Sequence, residues 1–364
     1  MKLSQFLTLS IFSLNSALAS NPMLVVFGDE SVSSGNGDIS VPDVKYSTGR
    51  SSNGPVWSEY AGLYSGYDVL NFAYPGAVSS NEFVQSVVKV NLTVPSLIDQ
   101  VNTFKKNFEG KFTAESMRND TVIISVGLND IIQLRNVVIK YPLKFSYYIN
   151  SVSKNIVQSV KILKSIGYNN FVVSNYPQLS RIPYFSGLNI LSKIALDSAT
   201  SVVNSGFYLG LRSLKALDKS YGNFYFLDNY GFINNLIPEK KLLNSVGITN
   251  MGSSCYNVKT EKNDLSTCSD PRKFYFYDSV NPTTLVHSFY GAMVNEFLAK
   301  KNFVFNSRFI SGIIDNYNIS DIYTNSTSNG YINEDILEDI DSIQYNVSEA
   351  LDNISEIVSK KNSA

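Results

Sequence analysis

Three short stretches that follow apolar runs hold most of the groups able to do chemistry. Gly28-Asp29 follows Leu24-Val25-Val26-Phe27, Ala73 to Ala77 closes the run from Asp68, and Gly127 to Asp130 follows Thr121–Val126. In an open parallel sheet, reactive groups gather at such carboxyl ends of strands. The chain has one histidine, His287, so imidazole acid–base chemistry has a single candidate. Its two cysteines, Cys255 and Cys268, are expected to close one loop as a disulfide in an oxidising compartment, the alternative being two buried thiols. A cysteine metal site is not expected, because no histidine or second cysteine pair stands beside them.

The elements that would position these groups are legible as period and composition. The apolar runs at Leu24–Phe27, Asp68–Ala73, Thr121–Val126, Asn170–Ser174 and Phe224–Leu227 have strand length. Runs apolar at consecutive positions suit strands buried on both faces. Between them, Ser151–Ile166 and Ile190–Leu217 carry helical spacing; Val152, Ile156, Val160 and Leu163 repeat at four, four and three. Alternation of this kind predicts an α/β fold with a parallel sheet of five strands between helical layers. The aromatic run Phe274-Tyr275-Phe276-Tyr277 reads as a strand pattern serving the core rather than a sugar platform.

Composition narrows the class. The chain has 364 residues, 44% hydrophobic and 17% charged, with a net charge of -1. That is enough apolar material for a large core. A near-zero charge, with no Lys/Arg run beyond a pair, argues against a nucleic-acid partner. Residues 1–19 read as a signal peptide: Lys2, an apolar stretch from Phe6 to Leu14, then Ala17-Leu18-Ala19 with cleavage after Ala19. No later segment has the roughly 18 apolar residues needed for a transmembrane helix, and no lipid-anchor tail closes the chain. A secreted protein is therefore expected. Six Asn-x-Ser/Thr sequons, at Asn91, Asn119, Asn318, Asn325, Asn346 and Asn353, become candidate glycosylation sites in that context. Residues 303–364 read as an acidic, sequon-rich C-terminal extension to a main domain over 20–302. In it, Ile336, Ile340, Ile343, Val347, Ala350, Ile354 and Ile357 form one helical stripe, expected to dock on the main domain rather than pair as a coiled coil.

Five blocks in order resemble the GDSL/SGNH hydrolases, from Met23 to about Leu298. Phe27-Gly28-Asp29-Glu30-Ser31 through Gly35-Asn36 is similar to the family's Phe-Gly-Asp-Ser-Leu-Ser-Asp-Thr-Gly-Asn. Gly49-Arg50-Ser51-Ser52-Asn53-Gly54-Pro55-Val56-Trp57 and Asn71-Phe72-Ala73-Tyr74-Pro75-Gly76-Ala77 resemble the next two segments. Gly127-Leu128-Asn129-Asp130 matches Gly-x-Asn-Asp, and Asp278-Ser279-Val280-Asn281-Pro282-Thr283 resembles Asp-x-x-His-Pro-Thr. The resemblance implies a flavodoxin-like three-layer sandwich and ester hydrolysis by a Ser-His-Asp triad without a cofactor. It assigns the oxyanion hole to Gly76 and Asn129, and the orienting carboxylate to Asp278.

Two positions depart from that pattern. Glu30 stands at the nucleophile position and Asn281 at the base position. An amide has no basic lone pair for proton abstraction near neutral pH. His287 falls six residues beyond the base position, where it matches a structural histidine of the family rather than the catalytic one. Ser31 is an alternative nucleophile, one residue late and without an evident base. The leading expectation is that the Glu30 carboxylate accepts hydrogen bonds from Gly76 and Asn129 and fills the oxyanion hole. A cation held by Glu30, Asp29 and Asp278 ranks second, although no residue is assigned as a metal ligand. A carboxylate pair acting on glycosides ranks third. The protein is expected to be an impaired esterase that binds an acylated carbohydrate or lipid ester. The alternative is an active acylhydrolase or acetylesterase using Ser31.

Overall fold

The computed structural model describes residues 21–37, 45–141, 144–259, 264–299, 304–323 and 332–363. The expected signal peptide and the sequon at Asn325 lie outside the described residues. Strands β1 (Met23–Gly28), β2 (Asp68–Asn71), β3 (Thr121–Ser125), β4 (Asn170–Ser174) and β5 (Phe224–Leu227) coincide with the five apolar runs. Four further strands follow: β6 (Asn250–Ser254), β7 (Tyr256–Lys259), β8 (Asp264–Thr267) and β9 (Phe274–Phe276). A tenth, β10 (Gln344–Tyr345), comes from the C-terminal extension.

The main sheet runs β10-β2-β1-β3-β4-β5, parallel throughout. It therefore has six strands, not the five expected. The sixth is only two residues long, pairing Gln344 with Val69 and Tyr345 with Leu70. It covers the edge of β2, whose unpaired backbone groups would otherwise face solvent or another chain.

Helices α1 (Trp57–Ser65), α2 (Asn81–Val88), α3 (Leu97–Phe108), α4 (Leu128–Lys140), α5 (Phe145–Ile166) and α6 (Ile190–Leu217) connect the first five strands. Helices α7 (Asn229–Leu236), α8 (Lys240–Ser245), α9 (Thr284–Leu298) and α10 (Ser307–Asn316) come after β5. α1 packs against α9 and α11 (Glu334–Ile343), while α5 packs against α3 and α6. At the α1–α9 contact, a Cβ on Gly291 would stand 2.4 Å from the Tyr60 Cβ. Only glycine permits that approach, and it lets the nearly all-buried α9 seat against the molecule.

The apolar stripe of the extension is not one helix. α11, α12 (Val347–Asp352) and α13 (Ile354–Asn362) divide it, with β10 after the first. Ile340, Val347, Ala350 and Ile357 are nevertheless buried against the core. Two polar ties reinforce the docking. Asn36 Oδ1 accepts the Val347 N–H at 2.8 Å, and Lys361 Nζ meets Asp120 Oδ1 at 2.5 Å in full burial. Lys361 also donates to the Asn21 carbonyl at 3.0 Å, and Lys360 pairs with Asp68 at 2.8 Å. Among the described residues, no helix is long and apolar enough to cross a membrane.

Candidate functional site

The site is built at the carboxyl end of β1. Gly28 has a φ of 152°, and a Cβ there would stand 1.9 Å from the Ser125 carbonyl oxygen. Glycine is thus required for β1 to turn out beside β3. Gln100 on α3 braces the turn: its Oε1 accepts the Gly28 N–H and its Nε2 donates to the Gly28 carbonyl, both at 2.9 Å. Sequence reading passed over Gln100, because nothing local marks a helix residue 72 positions away as a strand-end brace.

Glu30 projects from this turn. Its Oε2 accepts the Gly76 N–H at 2.9 Å and the Asn129 Nδ2–H at 2.6 Å. Gly76 sits in the turn after β2; Asn129 lies in the first turn of α4, directly after Gly127 at the end of β3. Three separate strand ends therefore deliver one acceptor and two donors to a point. Burial pushes the Glu30 carboxyl up and the nearby Asp278 charge adds to this, while the two hydrogen bonds pull it down; the net shift is upward.

Asp29 and Ser31 form a second cluster beside it. Asp29 Oδ1 accepts the Ser31 Oγ–H at 2.7 Å and the Ser31 N–H at 3.1 Å. Ser31 Oγ is also 3.0 Å from Ser125 Oγ, to which Ser174 Oγ donates at 2.9 Å. Burial first, and then the Glu30 charge, hold Asp29 well above the ordinary carboxyl range.

Asp278 is saturated with donors. Its Oδ1 accepts the Val280 N–H at 2.7 Å and the Asn281 N–H at 2.6 Å. Its Oδ2 accepts from Asn281 Nδ2 at 2.9 Å and from the Tyr46 hydroxyl at 2.7 Å. Tyr46 was not foreseen, since it precedes Asp278 by 232 positions in an unremarkable stretch. Burial raises the Asp278 carboxyl despite these bonds.

His287 lies on α9, buried, with Nδ1 accepting the Trp57 N–H at 3.3 Å. That bond places its proton on Nε2. Burial pushes its pKa down to about 3, so it is neutral over the physiological range. Further from the centre, Arg50 and Glu59 form a buried bidentate pair, with Arg50 Nη2 at 2.7 Å from Glu59 Oε1. Asp130 accepts both the N–H and Oγ–H of Ser79 at 2.8 and 2.7 Å, and burial raises it to about 7.

Asp29, Glu30, Ser31, Asn281 and His287 border one cleft of about 740 Å³, counting its open mouth. Its other walls are largely aromatic and aliphatic. Tyr275 and Phe276, read from sequence as core residues, are buried and also line it. No group of three or more His, Cys, Asp or Glu residues suited to a metal ion occurs among the described residues. Cys255, just before β7, and Cys268, just after β8, are joined as a disulfide that closes the base of the β7–β8 ribbon. Of the sequons, Asn91, Asn119, Asn318 and Asn353 are exposed, whereas Asn346 is half-buried and caps α12.

A parallel α/β sheet whose first strand runs out into Gly28-Asp29, with the Gly76 and Asn129 donors converging on position 30, defines an esterase-type scaffold. The chain belongs to the GDSL-like Lipase/Acylhydrolase family, whose profile matches residues 24–294. It is similar to the GDSL esterase/lipase At5g45950 of Arabidopsis thaliana, 23% identical over 297 residues, covering 71% of this chain and 83% of that protein. GDSL esterase/lipase EXL5 of the same plant is 23% identical over 320 residues, covering 72% and 87%.

Proposed function

We propose that this family member has lost ester hydrolysis by the Ser-His-Asp route and acts as a binding protein. The observation that carries this is the Glu30 carboxylate, whose Oε2 takes both the Gly76 N–H and the Asn129 amide. Donors of this kind stabilise a developing oxyanion by about 3–4 kcal/mol each, provided nothing else occupies them. Here a resident anion does. Asn281 at the base position cannot accept a proton, and His287 is neutral with Nδ1 already engaged by Trp57. The bound molecule would be an amphiphile seated in the apolar cleft.

A second reading keeps hydrolysis through Ser31. It is favoured by the 2.7 Å bond from Ser31 Oγ to Asp29, a buried carboxyl raised toward the range of a useful base. The oxyanion would then need donors that Glu30 already holds, which ranks this reading below the first.

The protein is further read as exported and glycosylated. Support comes from the leader-like residues 1–19, a disulfide, and exposed sequons at Asn91, Asn119, Asn318 and Asn353. Residues 20–302 are taken as the hydrolase-like unit and 303–364 as its extension.

One preparation tests both. Expressed with its leader in a eukaryotic secretory host, the chain should reach the medium, and endoglycosidase should lower its mass. Retention in the cell, or an unchanged mass, would overturn the export reading. The recovered protein should not turn over short nitrophenyl esters or label with a serine-directed phosphonate. Turnover abolished by Ser31→Ala would establish the second reading instead. The double variant Glu30→Ser/Asn281→His should gain turnover of at least a hundredfold over the parent, because hole, orienting carboxylate and cleft are retained.

A further inference from the structure

The substitution at position 30 reverses the hydrogen-bonding sense of the cleft. In an acyl-transfer site, backbone and amide donors face the ligand and hold a carbonyl oxygen. In this chain those donors are bonded to Glu30 Oε2, and Glu30 borders the cleft. Asp29 lies beside it on the same lining. Among the described residues no lysine or arginine borders the cleft, and its histidine is neutral. Polar groups of the lining without a hydrogen-bond partner among the described residues include the hydroxyl of buried Tyr176, which lies over Gly127, and the Asn229 Oδ1, an acceptor. The walls supply Trp57, Ile182, Ile233, Tyr275, Phe276 and Tyr290.

At Glu30 itself a ligand carbonyl or carboxylate would meet oxygen lone pairs, the Gly76 and Asn129 donors being already taken. An ammonium group brings three N–H donors and a positive charge to the same oxygens, and aromatic faces attract it as well. The geometry points to an amine-binding cleft, taking a primary ammonium that carries an apolar chain or ring, with its head at Glu30 and its body along the aromatic wall. This inference rests on the reading that Glu30 fills the oxyanion hole, and names the ligand class that follows from it.

Trp57 is the only tryptophan in the chain and lines the cleft, so intrinsic fluorescence reports its occupancy. The secreted full chain would be titrated at pH 7.5 with octylamine, octanol and octanoate, each below its micellar concentration. Octylamine should give a saturable change at least tenfold tighter than octanol, and octanoate should give none. Glu30→Gln, which keeps the shape and removes the charge, should bring octylamine and octanol within threefold. Octanoate binding as tightly as octylamine would overturn the proposal, as would an undiminished amine preference in Glu30→Gln. The comparison of the three ligands on the unaltered protein decides the matter even if the variant does not fold. A parallel nitrophenyl butyrate assay separates the two readings. Turnover with the amine preference intact removes the loss of hydrolysis alone, whereas no turnover and no amine preference removes the amine cleft alone.

Discussion

At the end of β1, a single carboxylate collects donors from two other strand ends, and around it stand several more ionisable groups held away from their ordinary behaviour by burial. Asp29, Glu30, Asp278 and Asp130 are all raised, Asp130 to about 7. A carboxyl with a raised folded pKa favours the folded state in its protonated form. For Asp130 that contribution is complete below about pH 4 and is lost as pH rises toward 7. His287 works in the opposite sense. Its folded value of about 3 lies below the ordinary 6.5, so acid protonates the unfolded chain first, and stability falls as pH drops from 6.5 toward 3. Replacing it isolates this effect, because the carboxyls are common to both proteins. His287→Gln should lose less stability than the parent between pH 7 and pH 5, by about 2 kcal/mol. Urea denaturation at the two pH values measures the difference; equal losses would mean that His287 titrates normally.

Among the elements, the five long strands are legible because each is apolar on consecutive positions, as burial on both faces demands. β10 is not, because Gln344-Tyr345 is too short to show a period and forms only by meeting β2 far back in the chain. The stripe from Ile336 to Ile357 looks continuous because its helices share spacing across the break. One local signal was available: Asn346 followed three residues later by Glu349 is a helix-start pair, and the two cap each other in the structure. Within the site, the resemblance to the family's blocks assigned Gly76 and Asn129 and marked Glu30 as the departure. Gln100, Tyr46 and Tyr176 act across long sequence separations that leave no local mark. The extension also yields a paired test. Lys361→Ala strips the cation from Asp120, a buried carboxylate whose Oδ2 already lacks a partner among the described residues. Breaking such a pair costs about 3–5 kcal/mol. Lys360 is half-exposed in its pair with Asp68, and its removal should cost about 1 kcal/mol or less. Equal effects of the two substitutions would show that α13 contributes little through charge.

For the whole molecule, one covalent link acts on a ribbon that lies outside the main sheet. The Cys255–Cys268 bridge spans 13 positions beside the β7–β8 ribbon, which makes a separate two-stranded sheet. Closing a loop of this length stabilises by about 3 kcal/mol through the unfolded state. Cys255→Ser/Cys268→Ser should lower the unfolding free energy by about that amount, read from denaturant midpoints, without changing the cleft's response to octylamine. A loss of ligand response together with the bridge would tie the ribbon to the cleft. The clasp of α13 bears on how the chain comes into being. Asp120 and Lys361 are separated by 241 positions, and a ribosome adding about 5–20 residues per second needs roughly 12–50 s to cover that distance. Until Lys361 is added Asp120 lacks that counter-ion, and β2 keeps an open edge until β10 is made, long after β5 has completed the rest of the sheet. The nascent protein is thus an unfinished surface with an open strand, and its passage through synthesis depends on being kept apart from its own copies until the closing residues arrive.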